Sequence, residues 1–445
     1  MSSRDYFLGK RVAVIGIGAH GEMLSDVRFL VKANALVSVY DMRSEDKLSP
    51  YMPALRSLGL ANLVCGFVPA EDLVDMDLIL LSHEYPRGSS FLAEIRKLGI
   101  PIEYPETLFL KLAPPVSVIG VMGACGKATL ISMLAPMMEA VCAKENKQVS
   151  IVLDPESGDG VVRHLKGLKN GDVAIMRIEP RMMPEISALR WSPHVAVFTT
   201  IPHIPGQIGG QGGKGSPFEI LAYQTYNNHV IGSDQTIDAV RSSGYHSKAK
   251  LLRTKPTIVP QDWMQEDARQ HDRENASLAL EAARLFKVSD EIAQAALMAW
   301  RPLHGRLEIV KKVRGVEFWN DTASCAPIAA VAGMSVLSKD KKIILVFGGA
   351  DHGADFKSFF GALKEYAHTV VTVPGSGTLK LRHALQDIEG VEVLSAPSLE
   401  EAVREAMDHA KKGDRVLFSP AFEAGGIDPS RMERGERFVR AVRTL

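Results

Sequence analysis

The chain has 445 residues, with Lys+Arg and Asp+Glu both at 52 and hydrophobic residues at 46%. The zero formal charge argues against a nucleic-acid partner, which needs a basic excess, and the length suggests two to four globular domains. Four scattered cysteines without a CxxC pair argue against a disulfide framework or structural zinc site and fit a reducing cytoplasm. No apolar run approaches the ~20 residues of a membrane helix, and no signal-like segment precedes the first strand.

In chain order, "KRVAVIGIG" reads as a buried strand, "EMLSDVRFLVKA" as a helix, and "LVSVYDMR", "DLILLS" and "IPIEYPE" as further strands. Strands alternating with helices imply a mostly parallel sheet. Pro114–Pro115 punctuates the chain and sets the first expected boundary. A second alternating segment holds the strands "SVIGVM", "KQVSIVL", "DVAIMRI", "PHVAVFTTI" and "NHVIGS". Within it, the glycine-dense stretch 205–217 reads either as a surface loop or as a second phosphate-approaching loop carrying Lys214. The helix "QHDRENASLALEAARLFKV" follows, with Leu278, Ala282 and Leu285 on one face. The last segment opens with two strands turning at Arg314–Gly315. It continues through "KKIILVFGGADHGADF", "TVVTVPG", "VEVLSAP" and "DRVLFSPA", with a helix over "LEEAVREAMDHAKKG" that Gly413 is expected to cap.

Two glycine-rich turns stand out. "GIGAHG" (Gly16, Gly18, Gly21) follows the first strand, and Asp41 ends the second, as a dinucleotide site requires; a tight strand-to-helix turn needs the same glycines without a ligand. "GVMGACGK" runs from a strand into a helix and ends in Lys127, the arrangement that cradles phosphates with backbone N–H groups and an ammonium. The next residue, where a hydroxyl usually holds Mg²⁺, is Ala128. Pro136 is expected to kink the following helix or end it early. A nicotinamide-dependent oxidoreductase would rest on "GIGAHG" alone and leave the second loop unexplained.

Taken together and in this order, "GIGAHG", "GVMGACGKAT", "HDREN", "HGRLE", "NDTASCAP", "GGADHGADF" and "FSPAFEA…ERG" resemble the Mur ligase family along essentially the whole chain. The resemblance implies an α/β, three-domain architecture. A Rossmann-like domain over residues 1–113 would bind a UDP-linked substrate, a P-loop domain over 114–302 would bind ATP, and a Rossmann-like domain over 303–445 would bind an amino acid. The implied reaction is ATP-dependent amide-bond formation in peptidoglycan precursor synthesis. An amino acid, D-glutamate in the branch this chain most resembles, is added through an acyl phosphate to a UDP-linked muramoyl precursor. The alternative is an impaired or inactive relative that keeps nucleotide or UDP binding as a scaffold or regulator. A cytoplasmic monomer without membrane or nucleic-acid partners is expected.

Carried over position by position, the resemblance assigns Lys127, His203 and Arg306 to catalysis. It assigns Gly123, Ala124, Cys125, Gly126, Lys127, Ala128, Thr129, Asn275, Arg306 and Asp321 to ATP. Gly18, Ala19, His20, Asp41, Met42, Arg43 and Ser82 go to the UDP moiety, and His352, Ala424 and Arg431 to the amino acid. ATP with Mg²⁺ is the family's cofactor set, but Ala128, Arg177 and Ala222 stand where it places metal ligands, leaving Glu179 as a nearby acid. Ala323 and His352 replace two lysines, and Asp272 replaces an asparagine. Arginine at a metal position sets a cation where a dication belongs, so a two-metal phosphate site is not expected to form.

Overall fold

The computed structural model describes residues 3–18, 21–83, 85, 89–123, 125–152, 160–199, 216–245, 247–266, 268–337, 342–350, 356–386, 388–422, 424 and 431–445. These fall into two compact units, the first reaching Ala299 and the second running from Trp300 to Leu445.

The first unit holds two sheets. Strands β1 (Arg11–Ile15), β2 (Leu36–Asp41), β3 (Asn62–Cys65), β4 (Leu78–Leu81) and β5 (Ile102–Glu103) form a sheet of order β3-β2-β1-β4-β5 with every pairing parallel. The chain reverses its direction of travel between β1 and β4, so the glycine turn after β1 opens at the switch point where such sheets bind ligands. Strands β6 (Ser117–Met122), β7 (Val149–Val152), β8 (Val173–Arg177), β9 (Val195–Phe198), β10 (His229–Gly232) and β11 (Lys250–Arg253) form the second sheet. Its order is β11-β10-β9-β6-β8-β7, again all parallel. Strand β6 lies between the two directions of winding, and the phosphate-type loop leaves its C-terminal end.

The helix after that loop runs from Lys127 to Lys144 through Pro136, so it does not end early at the proline. Leu130, Met133, Leu134, Met137 and Met138 are fully buried on it. At about 2 kcal/mol for each such side chain, their burial exceeds the ~3 kcal/mol cost of an interior proline.

In the second unit, β12 (Glu308–Val313) and β13 (Val316–Asn320) form an antiparallel hairpin. Its turn residues Arg314 and Gly315 both have positive φ, as the expected turn requires. Strands β14 (Ile343–Phe347), β15 (Ala367–Thr372), β16 (Glu392–Ser395) and β17 (Arg415–Phe418) complete a sheet of order β12-β13-β17-β14-β15-β16. The helix Leu399–His409 ends on Ala410, not on Gly413. Gly413, at φ 98°, lies in the turn before β17, where its N–H donates to the Gly315 carbonyl.

One buried charge joins the first two sheets. Asp26, on the helix Leu24–Lys32, accepts from the Val161 and Arg163 backbone N–H groups at 3.0 Å each, and the Ser25 hydroxyl accepts from Gly160 N–H at 2.6 Å. Burial lifts the Asp26 carboxyl to about 7, against the lowering effect of those N–H donors and the Arg163 charge. An acid whose folded pKa is raised stabilises the fold at low pH and loses that contribution as pH rises through the folded value. Asp26→Asn removes the titration. The stability advantage of the natural chain over this variant, measured by urea unfolding, is therefore expected to shrink by roughly 2 kcal/mol between pH 5 and pH 8; an advantage independent of pH would contradict the assignment.

Candidate functional site

The loop after β6 is shaped by two glycines that a side chain could not replace. Gly123 and Gly126 have φ of 132° and 86°, and a Cβ on Gly126 would lie 2.6 Å from the Asn275 amide oxygen. Asn275 itself donates to the His271 carbonyl at 2.9 Å, which fixes its amide beneath the loop. Lys127 is the first residue of the helix, with a side chain only 6% exposed. Its ammonium donates to the Gly123 carbonyl at 2.5 Å. The Thr199 hydroxyl, just beyond β9, lies 3.0 Å from the Met122 carbonyl and 2.6 Å from the Cys125 carbonyl, so the neighbouring strand pins both ends of the turn. Backbone N–H groups at a helix start with a buried ammonium make an anion cradle.

A second cation faces the same place. Arg177 ends β8 and is paired in register with Val121 of β6. Its Nε–H donates to the Glu179 carboxylate at 2.5 Å, and that carboxylate lies 3.7 Å from the Lys127 ammonium. Burial raises the Glu179 pKa, but the charges of Arg177, Lys127 and Arg181 and the Arg177 hydrogen bond together hold it below the usual value. Lys127, Glu179 and Arg177 carry a net single positive charge.

These residues do not fit the family's metal set. Among the described residues, no three His, Cys, Asp or Glu side chains are grouped to hold a metal ion. Ala128 is buried in the helix's first turn, and Ala222 is exposed after the turn Pro217–Leu221. A divalent ion ~4 Å from the Arg177 guanidinium would be repelled by about 8 kcal/mol at an effective dielectric of 20. Glu179, the acid the sequence offers as a metal ligand, is engaged by two cations.

At the first sheet, Asp41 is spent on its own surroundings. It accepts from Ile17 N–H at 3.2 Å, Arg43 N–H at 2.9 Å, Arg43 Nε–H at 2.9 Å and an Arg43 terminal N–H at 2.7 Å. Arg43 also reaches the Gly18 carbonyl at 3.1 Å. A carboxylate so committed has no oxygen left to read a ribose, which removes the physical basis of the oxidoreductase reading. Ser82 is buried at the end of β4, its N–H donating to the Ile15 carbonyl, and Met42 is exposed with its N–H 3.4 Å from the Tyr85 hydroxyl.

In the second unit the quoted motifs converge at the ends of β13 and β17. The buried Asp321 carboxylate accepts from Leu307 N–H at 3.2 Å and the Ser419 hydroxyl at 2.8 Å. Burial raises it to about 6, against these donors and the charge of Arg306. Asp321 thus holds the Gly305–Leu307 turn that carries Arg306. The Arg434 guanidinium, from "ERG", donates to the Phe422 carbonyl at 3.0 Å and lies 3.6 Å from the Cys325 sulfur, tying "FSPAF" and "NDTASC" to the helix Arg431–Arg443. Arg431 begins that helix, and Ala424 is half-buried. Ala19, His20, Ala124, His203, Lys214 and His352 lie outside the described residues.

Thr199, Ser419 and Arg434 are the residues that motif reading did not assign. For Thr199 the sequence offers only a hydroxyl at a strand end; Ser419 and Arg434 stand inside quoted motifs.

Comparison with known proteins agrees with these motifs. Residues 305–422 match the family described as Mur ligase, glutamate ligase domain. A UDP-N-acetylmuramoylalanine--D-glutamate ligase of Roseiflexus sp. (strain RS-1) is 26% identical over 98% of this chain and 99% of its own length. The enzyme of that name from Streptococcus agalactiae is 25% identical over 100% and 99%. Among solved structures, a murein peptide ligase from Psychrobacter arcticus superposes with a TM-score of 0.59 at 14% identity, covering 98% of this chain and 99% of its own. UDP-N-acetylmuramate-alanine ligase MurC from Thermotoga maritima gives 0.57 at 15%, covering 98% and 99%. These structures share the three-domain fold.

Thr199→Val removes the hydroxyl that pins the loop and leaves a buried carbonyl without it. It is expected to cost about 1–2 kcal/mol of stability and to speed amide exchange at Gly126 and Lys127, whereas Thr199→Ser retains protection; equal exchange in all three proteins would show that the hydroxyl does not hold the loop.

Proposed function

We propose that this chain, whose residues 305–422 match the Mur ligase glutamate ligase domain and which is 26% identical along nearly its whole length to a curated ligase, is an ATP-dependent acid–amino acid ligase of the MurD type. It would join an amino acid, D-glutamate in its relatives' case, to UDP-N-acetylmuramoyl-L-alanine. The observation that carries this reading is the intact cradle: Gly123 and Gly126 in the conformations the loop needs, with Lys127 buried at the helix start.

ATP fits that cradle by the chemistry of its donors. When bound, it would supply the phosphoryl group that converts a substrate carboxylate into an acyl phosphate, with ADP as the leaving group; attack by the amine of the incoming amino acid would then form the amide and release inorganic phosphate and a proton. The chain's own residues do the rest. Lys127 and the loop N–H groups hold phosphate charge, and Asn275 supports the loop from below. Asp321 serves by fixing the turn that presents Arg306. Lys127, His203 and Arg306 are each proposed as catalytic residues; His352, Ala424 and Arg431 are proposed for the amino acid, where the Arg431 guanidinium suits a carboxylate. Met42, Arg43, Ser82 and the glycine turn form the proposed UDP site, with Asp41 in it as the residue that positions Arg43 and the turn. No step is assigned to Mg²⁺, because the donor set does not fit it. No described helix is long and apolar enough to cross a membrane; that the protein acts as a cytoplasmic monomer on nucleotide-linked precursors is part of the proposal.

Phosphate release from ATP, measured with UDP-N-acetylmuramoyl-L-alanine and a panel of amino acids, tests the reading. Release is expected only with both substrates, and Lys127→Ala is expected to lower kcat by about a hundredfold or more. Nucleotide binding without release for any amino acid would favour the non-ligase alternative. Arg431→Ala is expected to raise KM for the amino acid about tenfold with little change in kcat; an unchanged KM would remove Arg431 from the site.

A further inference from the structure

We propose that Arg177 is a phosphate-binding residue of this site. It supplies a fixed positive charge where relatives would use a metal ion, and Glu179 is the counter-ion that holds Arg177 and Lys127 ready. The inference rests on the ATP-dependent reading above.

Three observations carry it. Arg177 stands at the C-terminal end of β8, in register with Val121 of the strand that feeds the loop, and the carboxylate its Nε–H binds is the one that also faces the Lys127 ammonium. Among the described residues, its side chain makes one hydrogen bond, from Nε to Glu179, and both terminal nitrogens are without a protein acceptor. An arginine kept for structure is used differently in this chain: Arg43 spends Nε and a terminal nitrogen on Asp41 and Gly18, and Arg434 binds the Phe422 carbonyl. Finally, one carboxylate is shared between two cations, 2.5 Å from Arg177 and 3.7 Å from Lys127, leaving an excess of positive charge facing the loop.

The chemistry suits a polyphosphate. A guanidinium presents paired N–H donors matched to two phosphate oxygens, and it is always charged. Two cations fixed by one carboxylate need no reorganisation when phosphate arrives. Glu179 then competes with phosphate for both, which is the opposite of a metal ligand's role. A metal-binding carboxylate strengthens nucleotide affinity through the ion; a counter-ion weakens it.

The sign of the Glu179→Gln effect therefore decides the matter. ATP affinity of the full chain, by calorimetry with excess EDTA and separately with Mg²⁺, is the measurement. The natural protein is expected to bind ATP in EDTA within about tenfold of its affinity in Mg²⁺. Arg177→Ala is expected to lose about tenfold or more in EDTA and to become strongly Mg²⁺-dependent, and Arg177→Lys to recover part of the loss. Glu179→Gln is expected to bind ATP more tightly in EDTA. Thermal unfolding of each variant without ligand checks that the fold is kept.

Unchanged metal-free affinity in Arg177→Ala, or weaker Mg²⁺–ATP binding in Glu179→Gln with its metal-free affinity unaltered, would overturn the inference and leave the ligase reading standing. A natural protein that binds no nucleotide in either condition would overturn both.

Discussion

A carboxylate placed between two cations organises the phosphate end of this protein. Glu179 touches both Arg177 and Lys127, and each of the three is delivered by a different piece of backbone: the end of β8, the segment after it, and the first residue of a buried helix. The surrounding structure keeps those pieces in place. Parallel pairing of β6 with β8 fixes Arg177 beside the loop strand, and pairing of β6 with β9 brings Thr199 to both ends of the turn. Positive φ at Gly123 and Gly126 lets the chain double back so that Lys127 begins the helix. Without a compact anion among them, two positive charges this close to one another would be pushed apart.

The same economy of charge recurs elsewhere in the fold. Asp41 is neutralised by Arg43 and by backbone donors, and it stabilises a glycine turn without offering a free oxygen. Asp26 and Asp321 are buried with backbone or hydroxyl donors and are raised to about 7 and about 6. Each sits at a joint, Asp26 between the first two sheets and Asp321 between the turn at Arg306 and the end of β17. Buried acids here fix segments in place, as Glu179 does for the two cations at the phosphate loop.

Much of this was legible in the residues. Apolar runs bounded by glycines marked the parallel strands, and the Arg314–Gly315 turn announced the β12–β13 hairpin through its need for positive φ. The phosphate loop was readable from strand, glycines, lysine and helix in succession. Pro136 misled because local propensity is a weak term beside the burial of a helix clothed in leucine and methionine. Gly413 misled because a glycine after a helix can serve the next turn instead of the cap. Side-chain pairing was the least legible layer. "RIEP" shows an arginine where an acid was expected, but only the fold reveals that Glu179 turns back to hold it and Lys127 together. Nor does a threonine at the end of "AVFT" disclose that it grips a loop some seventy residues earlier.

The central claim is that this ligase fold neutralises phosphate with a guanidinium in place of a second divalent ion. Counting Mn²⁺ bound per chain in the presence of saturating ADP, by the loss of the free-ion electron paramagnetic resonance signal, tests it most directly. The account predicts no more than a single ion per chain, accompanying the nucleotide; a reproducible stoichiometry of two would contradict it.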